Sequence, residues 1–233
     1  MTHHPSVSVC FPVYNEEGSI GEVLEEAHSL LRQSGLDYEI LVCDDGSTDQ
    51  TKDIVENIAS LYPNFRIIHN PHNLGIRPTF EMLYSEARKD FVFLNSADRQ
   101  WRTSILFEML PLTREWDIIV ASRRKKFYDP FRGFVSIIFN AIPFMFFGVH
   151  TFDAGAVKLV KREIIESFNL ISRSPFSEAE RLIRASKAGY RITEYPVDIS
   201  PRKIGRQRGM SLKALIFALT DVVRVFIALS LSK

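Results

Sequence analysis

The chain has 233 residues, 45% of them hydrophobic and 24% charged, with a formal net charge of +1. That length suits one α/β domain or a domain with one appendage, and the composition excludes a disordered chain. The near-neutral charge gives no electrostatic reason to expect nucleic acid as a partner.

The amino end, Met1 to Pro5, lacks the charged and apolar regions of a secretory leader, so the expected start is cytoplasmic. His3 and His4 read as a frayed end rather than metal ligands. Val7 to Val13 reads as a strand, followed by a polar turn and an amphipathic helix over 19–34. The helix carries Ile20, Val23, Leu24, Ala27, Leu30 and Leu31 on one face. Tyr38 to Cys43 is a second strand, and Asp44-Asp45-Gly46-Ser47-Thr48-Asp49 is expected to turn and cap a helix through Leu61. A third strand at 66–69, a helix over 79–88, a fourth strand at 91–94 and a fifth at 118–121 follow. Cys10 and Cys43 each sit inside a strand without Cys-x-x-Cys spacing, which predicts two buried reduced thiols.

Continuous apolar strands separated by helices predict a mostly parallel sheet covered on both faces. Ligands of such sheets bind beyond the carboxyl ends of the strands. Tyr14-Asn15-Glu16, Asp44-Asp45-Gly46 and Ser96-Ala97-Asp98 all fall at those ends and mark the candidate site. The second half differs. Residues 127–150 are rich in Phe and Ile, then come Asp153-Ala154-Gly155-Ala156, a strand at 157–160, a helix over 177–188 and a strand at 191–197. A basic loop at 201–209 leads into an apolar helix over 211–231. The basic runs Arg123-Arg124-Lys125-Lys126 and Arg202-Lys203…Arg206…Arg208 border apolar segments, a pattern suited to phosphate or an anionic membrane surface.

Pro12-Val13-Tyr14-Asn15-Glu16-Glu17, Asp44-Asp45-Gly46-Ser47-Thr48-Asp49, Asn73-Leu74-Gly75, Asp153-Ala154-Gly155, Glu178-Ala179-Glu180, the Gly189-to-Val197 segment and Arg202…Gly205-Arg206 follow one another in this order. Over about residues 7–210 the chain thereby resembles the family 2 glycosyltransferases of GT-A fold, especially the dolichyl- or polyprenyl-phosphate sugar synthases. The resemblance implies inverting transfer of a hexose from a UDP- or GDP-sugar to a polyprenyl phosphate. By the same likeness Asp44 recognises the base, Glu16 lies near the ribose, and Pro12 and Tyr14 shape the base pocket. Helix capping and an Asx turn are the other roles open to one of Asp44 and Asp45. Asn15, Gly46, Ser96 and Ala97 complete the expected nucleotide-sugar site.

One departure matters. Where the family has Asp-x-Asp, this chain has Ser96-Ala97-Asp98, followed by Arg99 and Gln100. The resemblance implies Mg²⁺ or Mn²⁺ at Asp98 and Gln100, in a site weakened by Ser96, because hard cations accept carboxylate, amide, water and donor phosphate oxygens together. Arg202 and Arg206 are expected to help neutralise the leaving diphosphate. A hydroxyl acceptor needs a general base, for which Asp153, Glu178 and Glu180 are candidates. An exposed helix start is the other reading of Glu178 and Glu180.

Residues 131–149 are apolar but interrupted by Pro143, and the last helix carries Lys213, Asp221 and Arg224. Neither reads as a membrane span. The expectation is an interfacial segment and an in-plane amphipathic helix over 211–233, appended to a domain of residues 1–210, at the cytoplasmic face of a membrane. In that domain 1–122 form the nucleotide-sugar half and 123–210 the acceptor half. A helix packed on the core or in a homo-oligomer is the competing reading of 211–233. Two other functions stay open: transfer to a glycan hydroxyl, and an inactive homologue that binds a nucleotide sugar or a partner protein.

Overall fold

A computed structural model of the chain describes residues 5–124, 141–199 and 212–231. Its elements are β1 (Val7–Val13), α1 (Ile20–Ser34), β2 (Tyr38–Asp44), α2 (Thr51–Leu61), β3 (Phe65–His69), α3 (Ile76–Glu86), β4 (Phe91–Leu94), α4 (Ile105–Met109) and β5 (Ile118–Arg123). The second half supplies α5 (residues 141–147), β6 (Lys158–Lys161), α6 (Arg162–Ser167), α7 (Ser177–Lys187), β7 (Ile192–Val197) and α8 (Leu212–Leu231).

The strands form one seven-stranded sheet in the order β3-β2-β1-β4-β6-β5-β7. Only β6 runs against its neighbours, pairing antiparallel with both β4 and β5. Six carboxyl ends therefore lie on one edge, and so does the amino end of β6. The order reverses direction between β1 and β4, opening a crevice at that edge.

Alternation along β1 explains how both faces are covered. Val7, Val9, Phe11 and Val13 join Ile20, Leu24, Ala27 and Leu31 of α1 in the main core. Cys10 points the other way, into a cluster with Leu41, Cys43, Leu83, Tyr84 and Val92. Burying each such side chain contributes about 1.5–3 kcal/mol, so Phe11, fully buried, is a residue whose truncation to Ala costs about 3–5 kcal/mol. Both cysteines are free and buried. Burial, with Asp45 and Asp44 nearby, pushes the Cys43 thiol up to about 12, and burial raises Cys10 well above its ordinary value. Neither is a ready nucleophile.

Three expectations need correction. Helix α3 begins at Ile76 rather than 79, because Pro78 lies in its first turn, where a missing N–H costs no internal hydrogen bond. Helix α4 and the 3-10 turn Leu110–Arg114 were not anticipated between the fourth and fifth strands. The N-cap position of α2 is Gln50, without a side-chain cap; Asp49 instead accepts the N–H of Thr51 at 3.0 Å.

Candidate functional site

The crevice holds a cavity of about 710 Å³. Pro12 to Glu16 at the end of β1, Leu94 to Asp98 with Gln100 and Trp101 at the end of β4, and Asp45 after β2 line it. Asn73, Gly75, Ile76, Thr79 and Phe80 close one side; Arg123 and Gly155 to Val157 close another.

The first loops are sewn together. Asn15 takes the left-handed conformation at φ 53°, which Asn tolerates. Its backbone N–H donates to Ser47 Oγ at 3.0 Å, and its Oδ1 accepts the N–H of Thr48 at 2.8 Å. The N–H of Glu16 donates to Thr51 Oγ1 at 2.9 Å, and Gln50 donates to Glu17 at 2.9 Å. Asn15 and Glu16 thus reach the cavity wall on a braced turn. Glu16 also accepts the Ser19 hydroxyl at 3.0 Å.

The Asp44–Asp45 pair divides its labour, and not as the sequence suggests. Asp44 does not line the cavity: its carboxylate accepts the N–H of Ser47 at 3.1 Å and lies 3.4 Å from His69 Nδ1. Asp45 does line it, and accepts from Asn70 Nδ2 at 2.7 Å and from the N–H groups of Leu74 and Gly75 at 2.9 Å each. Consecutive residues at a strand end face opposite ways, so only one carboxylate can look into the crevice. Gly46 has φ 70°, and a Cβ there would stand 2.5 Å from the backbone of His72. It shapes the loop without lining the cavity.

At the end of β4, Ser96 Oγ donates to Asp98 Oδ1 at 2.5 Å, and the N–H of Gln100 donates to the same oxygen at 3.1 Å. Ser96, Ala97, Asp98 and Gln100 all line the cavity. Arg99, at φ 60°, turns away to pair with Glu22 of α1. Across the cavity, Arg123 lies 3.4 Å from Asp153 and 5.2 Å from the centre of the Trp101 ring. A guanidinium over an indole face gains cation–π attraction and a fixed plane. From sequence, Arg123 falls in a basic run suited to phosphate or an anionic membrane surface, and nothing singles out Trp101. The available signal was that Arg123 ends a strand and Trp101 follows Gln100.

Glu178 and Glu180 are not at an exposed helix start, nor do they line the cavity. Glu178 is buried, 2.7 Å from Lys158 Nζ and within 3.1 Å of the Tyr84 hydroxyl. Burial opposes its ionisation, but the charges of Lys158 and Arg181 and the hydrogen bonds from Lys158 and Tyr84 outweigh it and hold the carboxyl below the usual glutamate range. Arg181 stacks on Tyr84, 4.3 Å from the ring centre, and binds Glu81 at 2.7 Å, tying α7 to α3. Glu180 accepts the N–H groups of Ile171 and Ser172 and pairs with Arg184 at 2.7 Å. Asp153 is buried as the counter-ion of Arg123 rather than presented to the cavity. Arg202, Arg206 and the rest of the basic loop lie outside the described residues, as do 131–140 of the apolar segment.

Helix α8 packs one side on the protein. Ala218, Val222 and Val225 join Ile142 and Phe147 of α5 and Phe176 and Ile183 in a buried cluster. Asp221, read from sequence as a charge of an in-plane helix, is buried and accepts the N–H groups of Arg173 and Ser174 at 2.8 Å each. The opposite side leaves Phe217, Leu219, Val223, Phe226, Ile227 and Leu231 exposed, beside exposed Phe144, Met145 and Phe146 of α5. Phe226 contacts Phe146 and Phe147 edge-on, so these two outward faces are contiguous. Among the described residues, no helix is long and apolar enough to cross a membrane.

The sequence profile described as Glycosyl transferase family 2 matches residues 8–178. Glycosyltransferase AglD of Haloferax volcanii is 28% identical over 209 residues, covering 84% of this chain and 33% of that protein. Dolichyl-phosphate beta-glucosyltransferase ALG5A of Trichomonas vaginalis is 27% identical, covering 95% of this chain and 73% of its own length. Undecaprenyl-phosphate 4-deoxy-4-formamido-L-arabinose transferase of Proteus mirabilis is 29% identical, at 90% and 64%. The chain thus spans a third of the first of these relatives and about two thirds to three quarters of the others. Among solved structures, glucosyl-3-phosphoglycerate synthase from Mycobacterium tuberculosis, in complex with Mn²⁺, UDP and phosphoglyceric acid, superimposes with a TM-score of 0.74. Its identity is 17%, covering 95% of this chain and 78% of that one. Mannosyltransferase PcManGT from Pyrobaculum calidifontis, in complex with GDP-Man and Mn²⁺, superimposes at 0.66 with 18% identity, covering 96% and 65%. These two likenesses show a shared GT-A fold.

Proposed function

The chain belongs to glycosyl transferase family 2, and from that premise we propose that it moves a hexose from a nucleoside-diphosphate sugar to a polyprenyl phosphate. The observation that carries this acceptor class is the chemistry of one cavity wall. Among the described residues, Trp101, Arg123 and Gly155 to Val157 present a cation there and no carboxylate. Glu178 and Glu180 are buried in ion pairs, and Asp153 serves Arg123. A neutral hydroxyl arriving at that wall finds no general base among the described residues. A phosphate monoester needs none, since its second pKa is about 6 and its oxygens are already ionised near neutral pH. Two of the relatives carry a polyprenyl-type phosphate acceptor in their names.

In this reading Pro12, Tyr14 and Asp45 receive the base, with Asp45 taking the part first expected of Asp44. Glu16 lies towards the ribose, and Ser96 to Asp98 meet the diphosphate. Asp98 and Gln100 offer the hard oxygen donors that Mg²⁺ or Mn²⁺ takes, and the donor diphosphate supplies more. A bound cation there contributes charge that stabilises the leaving diphosphate. Arg123 holds the acceptor phosphate in line with the anomeric carbon; Arg202 and Arg206 are proposed to help neutralise the leaving diphosphate. One phosphate oxygen forms the new bond to that carbon as its bond to the donor's β-phosphate oxygen breaks, and the nucleoside diphosphate leaves with the electron pair. The configuration inverts.

The exposed apolar faces of α5 and α8 are proposed to rest on the cytoplasmic face of a membrane, where a polyprenyl acceptor resides; a contiguous patch of this kind marks an interaction surface. Residues 1–210 would be the catalytic domain and α8 its membrane-facing edge.

The test is turnover with a panel of UDP- and GDP-sugars against polyprenyl phosphate and the matching unphosphorylated polyprenol. Release of nucleoside diphosphate with the phosphate alone is the expected result. Release with the alcohol or a glycan instead would move the reading to a hydroxyl acceptor. Nucleotide binding without release under any condition would favour an inactive homologue.

A further inference from the structure

One buried cluster of charges has no part in the proposed transfer, yet both its ends adjoin the cavity. Lys158 Nζ stands 2.7 Å from Glu178 Oε2, and the same oxygen accepts the Tyr84 hydroxyl at 3.1 Å. Arg181 lies over the Tyr84 ring at 4.3 Å, donates to Glu81 at 2.7 Å and sits 3.8 Å from Glu178 Oε1. The Lys158 and Arg181 side chains are each 1% exposed, so two buried cations face two carboxylates, the pairing that burial requires.

One end of the cluster is Lys158 of β6. It follows Val157 in the chain and pairs in the sheet with Leu94, and both of those residues line the cavity. Val157 belongs to the wall that carries Arg123, assigned above to the acceptor. The other end is Glu81 of α3, next to Phe80 and close to Thr79 of a second wall. Asp45 holds the N–H groups of Leu74 and Gly75 at the start of that helix, so this wall belongs to the donor. Glu178 and Arg181 of α7 join the two ends. Hydrogen bonds between buried charges are stronger than in water, so the cluster holds its elements firmly.

We infer that this cluster sets the spacing of the donor and acceptor walls, with Arg181 and Glu81 as positioning residues for the transfer. The inference rests on the donor and acceptor sides of the transferase reading above. In-line attack needs the phosphate oxygen about 3–3.5 Å from the anomeric carbon, and a misplacement of about 1 Å costs roughly 100-fold in rate. Helix α7 is the strut between the walls, and the Arg181–Glu81 link is where it grips α3.

The experiment compares the full wild-type chain with Arg181→Met, Arg181→Lys and Glu81→Ala, each assayed below its melting temperature. Turnover is measured with polyprenyl phosphate and the donor selected by the panel above, and UDP and GDP affinity by calorimetry. Arg181→Met is expected to lower kcat roughly 10–100-fold while nucleotide affinity is unchanged. Arg181→Lys, which keeps the buried charge, is expected to recover part of that loss. The Glu81 side chain is 32% exposed, so Glu81→Ala probes the same link even if Arg181→Met does not fold. A loss of roughly tenfold in kcat is expected there. An unchanged kcat in the folded variants, with only melting lowered, reduces the cluster to a tie within the fold and overturns the inference. A fall in nucleotide affinity that accounts for the whole loss overturns it too, because the donor wall alone would then be disturbed. In both cases wild-type turnover leaves the transferase reading standing. No turnover by the wild-type chain, with every donor and acceptor, overturns both.

Discussion

The cavity wall and the surroundings of α7 treat their charged residues differently. At the cavity, Glu16 and Asp98 stand past the carboxyl ends of parallel strands, and Asp45 lines the same space while buried and held by Asn70 and the N–H groups of Leu74 and Gly75. In the second half, Lys158, Glu178, Glu180, Arg181 and Asp221 are buried among one another or against backbone N–H groups. The difference teaches that an acidic motif can meet a ligand only when its carboxylate has an opening to face. Where the fold supplies a fixed partner, the same residue type is a tie between elements, since a buried charge must be paired.

The largest test of this contrast is Lys158→Met. It leaves Glu178 buried without its nearest cation and is expected to cost about 3–5 kcal/mol in urea unfolding. Adding Glu178→Gln should recover part of the loss. Glu178 also gives the fold a pH signature. Its carboxyl lies below the ordinary value in the folded state, so its contribution is complete above the usual glutamate range. It is lost as pH falls through the depressed value. Glu178→Gln should therefore flatten the acid limb of the stability curve; a variant that loses turnover at unchanged stability would move Glu178 to the reacting side of the contrast.

Asp98→Ala is the counterpart from the first half. Turnover is expected to fall about 10²–10³-fold, the scale of losing one group that stabilises transition-state charge, with melting unchanged. If fold and turnover fall together, Asp98 belongs with the buried ties. Asp153 sharpens the line between the two classes, because it is buried yet serves a cavity residue. Asp153→Asn and Arg123→Lys should each raise the KM for a phosphate acceptor about tenfold, in keeping with the loss of a fixed guanidinium plane, and leave the donor KM unmoved. A shift confined to kcat and its pH profile would instead make Asp153 a base.

The smallest effect on stability, about 0.5 kcal/mol, is expected for Phe146→Asp and Phe226→Asp on the exposed faces. Sedimentation with liposomes should nevertheless drop. These substitutions probe the surface better than removal of α8, whose inner side fills a core cluster. Unchanged sedimentation would leave the patch to some other partner.

The legible part of the fold has a local cause. Strands such as Val7–Val13 and Tyr38–Asp44 are buried on both faces, so they read as unbroken apolar runs. The start of α3 at Ile76 was hidden by Pro78, which reads as a break but is tolerated in a first turn. The reversal of β6 was invisible as well, because a four-residue apolar strand looks the same in either direction. Within the site, the loops after β1, β2 and β4 were legible as polar clusters following apolar runs. Of their partners across the crevice, Arg123 was legible only as part of a basic run suited to phosphate or a membrane surface, and Trp101 was not legible at all.

By itself the sequence determined the α/β sheet, the polar loops at its carboxyl edge and the family, because periodicity and short motifs are properties of neighbouring residues. Tertiary structure alone decided that Asp45 rather than Asp44 faces the cavity, that Glu178 pairs with Lys158 twenty residues away, and that Asp153 answers to Arg123. It also gave α8 a buried side and an exposed apolar one, where periodicity could only suggest that two faces exist. The reason is physical: the pattern of a chain states what a side chain prefers to be near, and only the packing of distant elements states which partner meets it.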